Sequence, residues 1–104
     1  MCIRDRKQFA SEILSRASNL VSVDRQKDHG DKLENHINIA KLWSAYLDID
    51  ILPEDVALLM SLLKIARTKL GRFNIDDFED GSAYMAIAGE LKSQRKDTNG
   101  NDTK

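Results

Sequence analysis

A chain of 104 residues makes one domain and leaves no room for two hydrophobic cores. Its 16 Lys plus Arg stand against 17 Asp plus Glu, a formal charge of −1, so it lacks the basic footprint that non-specific nucleic-acid binding requires. The single cysteine, Cys2, excludes an internal disulfide, no run reaches the roughly 18 apolar residues of a membrane span, and no leader pattern opens the chain, which together predict a soluble cytoplasmic protein.

One Pro, five Gly and few aromatics in a background of Ala, Leu, Lys, Asp and Glu point to helix. Residues 1–6 look like a translated adapter remnant and are expected to be non-native or disordered, leaving 7–96 as the domain. Phe9, Ile13, Ala17, Leu20 and Val21 recur at three- and four-residue steps, which predicts a first helix over about 7–23. Its opposite face carries Glu12, Ser15, Arg16, Ser18 and Asn19.

Residues 24–31 (Asp-Arg-Gln-Lys-Asp-His-Gly-Asp) have no hydrophobic period and read as a loop. Asp31 is the expected cap of a second helix over about 32–47, with Glu34 three positions on. Ile39, Ala40, Trp43 and Leu47 form that helix's buried stripe, and Trp43 at such spacing is more often core than a ligand platform. The alternating stretch 48–52 lacks a partner strand and is read as a connector that packs Ile49 and Ile51 inward.

The third helix, over 53–70, is the centre of the chain. Pro53 suits its first position, Glu54 and Asp55 its positive end, Lys64, Arg67 and Lys69 its negative end, and Gly71 a left-handed stop. It is apolar on nearly every side, so other helices or a second subunit must enclose it. A fourth helix is expected over about 76–96, with Asp76, Asp80 and Tyr84 on one face and Ile87, Ala88 and Leu91 on the apolar side, before a disordered tail at 97–104. The architecture is therefore all-α, a four-helix bundle-like domain completed by oligomerisation, at least a dimer.

The candidate chemistry is a set of polar groups beside this apolar bundle. Arg25, Gln26, Lys27 and His29 lie in the loop, Asn35 in the second helix, Lys64 and Arg67 on the third, and Asp76, Asp80 and Tyr84 on the fourth. Cations suit phosphates, carboxylates suit ribose hydroxyls or base amines, and Tyr84 or Trp43 can stack on a base, a mixture that fits a nucleotide better than a sugar or a lipid. The plainer alternative is a solvated surface on which Lys64 and Arg67 snorkel to water. His29 and His36, with no cysteine nearby, make no zinc motif, and Gly30 and Gly71 are too isolated for a phosphate-cradling loop.

The 24–31 loop, Asn35, the run 39–47, Pro53-Glu54-Asp55-Val56-Ala57, Lys64-Ile65-Ala66-Arg67 and Asp76, Asp80 and Tyr84 resemble an uncharacterised family of small bacteriophage proteins, over roughly residues 10–91. That family is similar, more distantly, to the MazG-like all-α nucleoside-triphosphate pyrophosphatases, helical oligomers that hold magnesium with paired carboxylates on two helices. The resemblance implies that function resides in the loop, Asn35, Lys64, Arg67, Asp76, Asp80 and Tyr84, with Asp76, Asp80 and Asp55 as the magnesium ligands if the enzyme reading holds. Ser15 and Ser18 stand where the early carboxylate pair would help, which weighs against activating water on a phosphoanhydride and leaves nucleotide binding. Three readings follow. The first is a phage-type protein that sequesters a host nucleotide signal, cyclic or ADP-ribose-like, in the host cytoplasm and so counters antiviral defence. The second is a magnesium-dependent pyrophosphatase whose metal site is completed by carboxylates of a neighbouring subunit, and the third a helical interaction module without a small ligand.

Overall fold

A computed structural model describes residues 9–22 and 31–99, with side chains as far as Gln94. Four helices follow one another: α1 (Phe9–Leu20), α2 (Lys32–Leu47), α3 (Pro53–Arg67) and α4 (Ile75–Asn99). Among the described residues there is no strand, and the domain is all-α as the periodicities predict.

Local chemistry sets most of the boundaries. Asp31 caps α2, its Oδ1 accepting the Leu33 N–H at 3.1 Å. Asp48 ends the same helix in the left-handed region, at φ 58°. At α3 the Asp55 Oδ2 reaches back to accept the Leu52 N–H at 3.0 Å, while Pro53 occupies the first turn. This helix stops at Arg67, short of the expected residue 70. Thr68 bonds back through its hydroxyl to the Ile65 carbonyl at 2.7 Å and tightens the final turn, so the left-handed Gly71, at φ 80°, lies beyond the helix and does not terminate it. The Asn74 Oδ1 accepts the Asp76 N–H at 3.0 Å and starts α4 one residue early, and α4 continues to Asn99, past the expected residue 96.

The α3–α4 crossing is the main packing seam, and small residues let it close. Ala57 and Ser61 on α3 face Gly81 and Ala88 on α4, and the Ser61 hydroxyl donates to the Gly81 carbonyl at 2.7 Å. Around Ala57 gather Ile87, Ala88 and Leu91, flanked by Val21, Leu33 and Tyr84. A second cluster joins Ala40, Ile51 and Val56 with Ile39, Trp43 and Met60, and ties α2 to α3. Trp43 is thus half-buried against the core, as its spacing indicated, whereas Leu47, expected on the same buried stripe, is exposed.

The connector departs from expectation at one residue. The Ser44 hydroxyl accepts the Ile51 N–H at 2.9 Å and donates to the Ile51 carbonyl at 3.2 Å, which turns Ile51 inward and leaves Ile49 60% exposed. The outer face of α3, with Leu58, Leu59, Leu62, Leu63 and Ile65, is also open, each side chain 38% to 59% exposed. The four helices bury only one side of the central helix.

Candidate functional site

The chemistry of the domain concentrates where α3 and α1 meet the first half of α4. Taking the inward stripe of Tyr84, Ala88 and Leu91 back by two turns reaches Asp77, which is 5% exposed. Its Oδ1 lies 3.3 Å from the Arg67 Nε, an ion-pair distance without hydrogen-bond geometry. One turn on, the Asp80 Oδ2 pairs with the Lys64 Nζ at 3.1 Å. On the flank facing α1, the Glu79 Oε2 accepts from the Arg16 Nη1 at 3.0 Å. A looser pair, Lys32 Nζ to Glu90 Oε1 at 3.5 Å, ties the start of α2 to α4.

Lys64 and Arg67 therefore do not stand as an unopposed phosphate clamp, since each faces a carboxylate of α4. Arg67 keeps half its side chain in water, whereas the Lys64 side chain is 13% exposed and held by Asp80. Asp76, expected on the same face as Asp80, is solvated, because the helix turns Asp77 and Glu79 inward in its place. Asp77, Glu79 and Arg16 are the residues that sequence reasoning overlooked. The signal was present: Asp77 lies seven before Tyr84 and Glu79 lies four before Ala83, each on a buried stripe.

Two hollows flank the α3–α4 seam. The one towards α1 measures about 250 Å³ and is lined by Leu20, Val21, Asp80, Ala83, Tyr84 and Ile87. It combines an apolar floor, a carboxylate and a phenol, with the Lys64 ammonium behind the carboxylate. Tyr84 is half-buried, and the edge of the His36 ring meets it with centroids 6.4 Å apart and planes at 62°. His36 is itself buried. Its Nδ1–H donates to the Lys32 carbonyl at 2.8 Å, and its Nε2 has no hydrogen-bond partner among the described residues. The other hollow, about 300 Å³, is lined by Ser61, Ile65, Thr68, Asp77, Phe78, Gly81, Ser82 and Met85. Its carboxylate already faces Arg67, and its exposed Phe78 and Met85 make it mainly an apolar groove.

Of the expected site residues, Asp80 and Tyr84 line the first hollow, Lys64 is joined to it through its pair with Asp80, and Arg67 stands one helical turn further along α3. Asn35 is exposed on α2, and Trp43 belongs to the second core cluster. Arg25, Gln26, Lys27 and His29 lie outside the described residues, as do residues 1–6. Asp55, Asp76 and Asp80 are not gathered: Asp55 caps α3, and no three His, Cys, Asp or Glu side chains among the described residues group as a metal site would require. The described residues of one chain therefore do not by themselves assemble the magnesium-ligand set implied by the resemblance.

This is an all-α domain whose charged groups are matched along one helix seam, with a small mixed hollow at one end of that seam. Residues 12–92 match the family described as domain of unknown function DUF6378, and the chain belongs to that family. It is similar to the Gene 55 protein of Mycobacterium phage L5, 38% identical over 81 residues, which is 77% of this chain and 52% of that protein. It is also similar to the Gene 55 protein of Mycobacterium phage D29, 41% identical over 83 residues, covering 80% of this chain and 55% of the relative. The chain thus spans about half the length of these curated relatives. No solved structure matches it significantly. No helix among the described residues is long and apolar enough to cross a membrane.

Proposed function

We propose that the hollow between α1 and α4 is the base-and-sugar end of a binding site for a nucleotide-type ligand, and that the protein holds this ligand without cleaving it. The observation that carries the reading is the meeting of Asp80, Tyr84 and, through Asp80, Lys64 around one hollow of about 250 Å³. A half-buried phenol offers a stacking face, and a carboxylate accepts from ribose hydroxyls or exocyclic amines.

The charge balance divides the labour within the site. Around the seam, Arg16, Lys64 and Arg67 already face Glu79, Asp80 and Asp77, so these pairs supply no surplus positive charge for a phosphate. The cations that the sequence offers for that task, Arg25, Lys27 and His29, lie outside the described residues. Cleaving a phosphoanhydride would need several carboxylates on one magnesium ion, and among the described residues of one chain Asp55, Asp76 and Asp80 form no such group. Binding without turnover follows as the favoured reading. In a phage setting, such a protein would sequester a host nucleotide signal and blunt the antiviral response that depends on it.

The test is to mix the protein with ADP-ribose, a cyclic dinucleotide and ATP in turn, remove unbound ligand, and heat-denature the complex. Recovery of intact nucleotide from the wild-type complex, with about tenfold or greater weakening in Tyr84→Ala from the lost stacking, is the expected result. Recovery of monophosphate and pyrophosphate would replace sequestration by hydrolysis. Failure of the whole panel to bind would end the proposal.

A further inference from the structure

The outer face of α3 is an apolar feature that the hollow leaves unused. On a helical wheel, Leu58, Leu59, Leu62, Ile65 and Ala66 occupy one continuous arc opposite the inward line of Ala57, Ser61 and the half-buried Lys64. The arc's midline runs through Asp55, whose Oδ2 also caps Leu52, and Leu62, and Lys69 follows at the same seven-residue spacing in the turn just after the helix. An apolar stripe bounded by an acid at one end and a base at the other is complementary to itself when reversed.

We infer that this face pairs with the same face of a second copy, the two α3 helices running antiparallel about a two-fold axis through Leu62. In that register Leu62 meets its own symmetry mate, Leu59 meets Ile65, Leu58 meets Ala66, and Asp55 lies against Lys69 at both ends. Each contact off the axis occurs twice, as an isologous interface demands. A parallel arrangement would set Asp55 on Asp55 and Lys69 on Lys69, and would align the two helix dipoles unfavourably. The charge pattern thus selects both the occupant and its direction. The seven-residue spacing is that of a coiled-coil seam, which suits close packing of two such helices. Leu63 and the groove rim at Ile65 flank the contact, so a second copy would also narrow the mouth of the hollow beside Phe78 and Met85.

The experiment measures the mass of the intact chain at tens of micromolar by sedimentation velocity, for the wild type and for Leu62→Glu. The wild type is expected to be a dimer, and Leu62→Glu, which sets two carboxylates on the axis, to weaken it by about a hundredfold or more, with unchanged helical circular dichroism. Cysteine variants in a Cys2→Ser background decide the register, and they decide alone should Leu62→Glu fail to fold. Leu62→Cys should form an intermolecular disulfide under mild oxidation, and Leu42→Cys, on exposed α2, should not. A monomeric wild type would overturn the inference. So would a dimer indifferent to Leu62→Glu, or one that cross-links through Leu42→Cys and not through Leu62→Cys.

Discussion

The ion pair between Arg67 and Asp77 should respond very unequally to loss of its two members. Asp77 is 5% exposed, while the Arg67 side chain is half in water, so the pair is buried on one side only. Arg67→Ala strands a carboxylate inside the seam. Removing one member of a fully buried pair costs 3–5 kcal/mol, and the gap left by a half-exposed guanidinium admits enough water to bring this to about 2–3 kcal/mol. Asp77→Asn keeps the shape and removes the charge, leaving Arg67 to turn to solvent at a cost of about 1 kcal/mol or less. In a domain of this size 1 kcal/mol shifts Tm by roughly 4–8 °C, so the first variant should melt about 10–20 °C lower and the second within about 8 °C of wild type. The double variant should recover most of the loss, because it restores a neutral interior. Thermal and urea unfolding followed by far-UV circular dichroism measure all three. Equal effects of the two single variants, or a larger loss in Asp77→Asn, would refute this assignment of the buried charge.

Ser61→Ala should cost about 1 kcal/mol in the same assay, the net worth of the hydroxyl's 2.7 Å bond to the Gly81 carbonyl in a closed seam. Gly71→Ala should cost a similar amount, about 1 kcal/mol, because φ is +80° there even though no atom lies within 4 Å of the added methyl. Gly81→Ala should instead be neutral or stabilising by up to about 1 kcal/mol, since its Cβ would make only an ordinary 3.5 Å contact with the Lys64 Cβ and alanine favours helix.

Much of the fold was legible because α2 and α3 announce their ends. Asp31 and Asp55 each accept a backbone N–H, and Pro53 removes an N–H that would lack a partner in the first turn. The far end of α3 was less legible, since a threonine bonding back to Ile65 closes the helix before the conspicuous Gly71 is reached. In the connector, Ile49 and Ile51 look equivalent in sequence, and only the two bonds from Ser44 decide which turns inward. At the site, residue type revealed which groups carry charge but not which charges cancel. A run of four acids within five positions, Asp76, Asp77, Glu79 and Asp80, drew attention to its exposed first member. The helix phase buries the second and third and matches them with Arg67 and Arg16. Pairing is a property of two helices brought side by side, and the periodicity of either one does not contain it.

The location of a bound nucleotide is the most direct measurement. In a ¹⁵N-labelled sample titrated with ADP-ribose or a cyclic dinucleotide, the backbone signals of Val21, Asp80, Ala83 and Tyr84 should shift together and saturate with one affinity, while those of Phe78 and Met85, across the seam, stay in place. Shifts confined to Phe78, Met85 and the outer face of α3, or no shifts at millimolar ligand, would contradict a nucleotide site at the α1–α4 hollow.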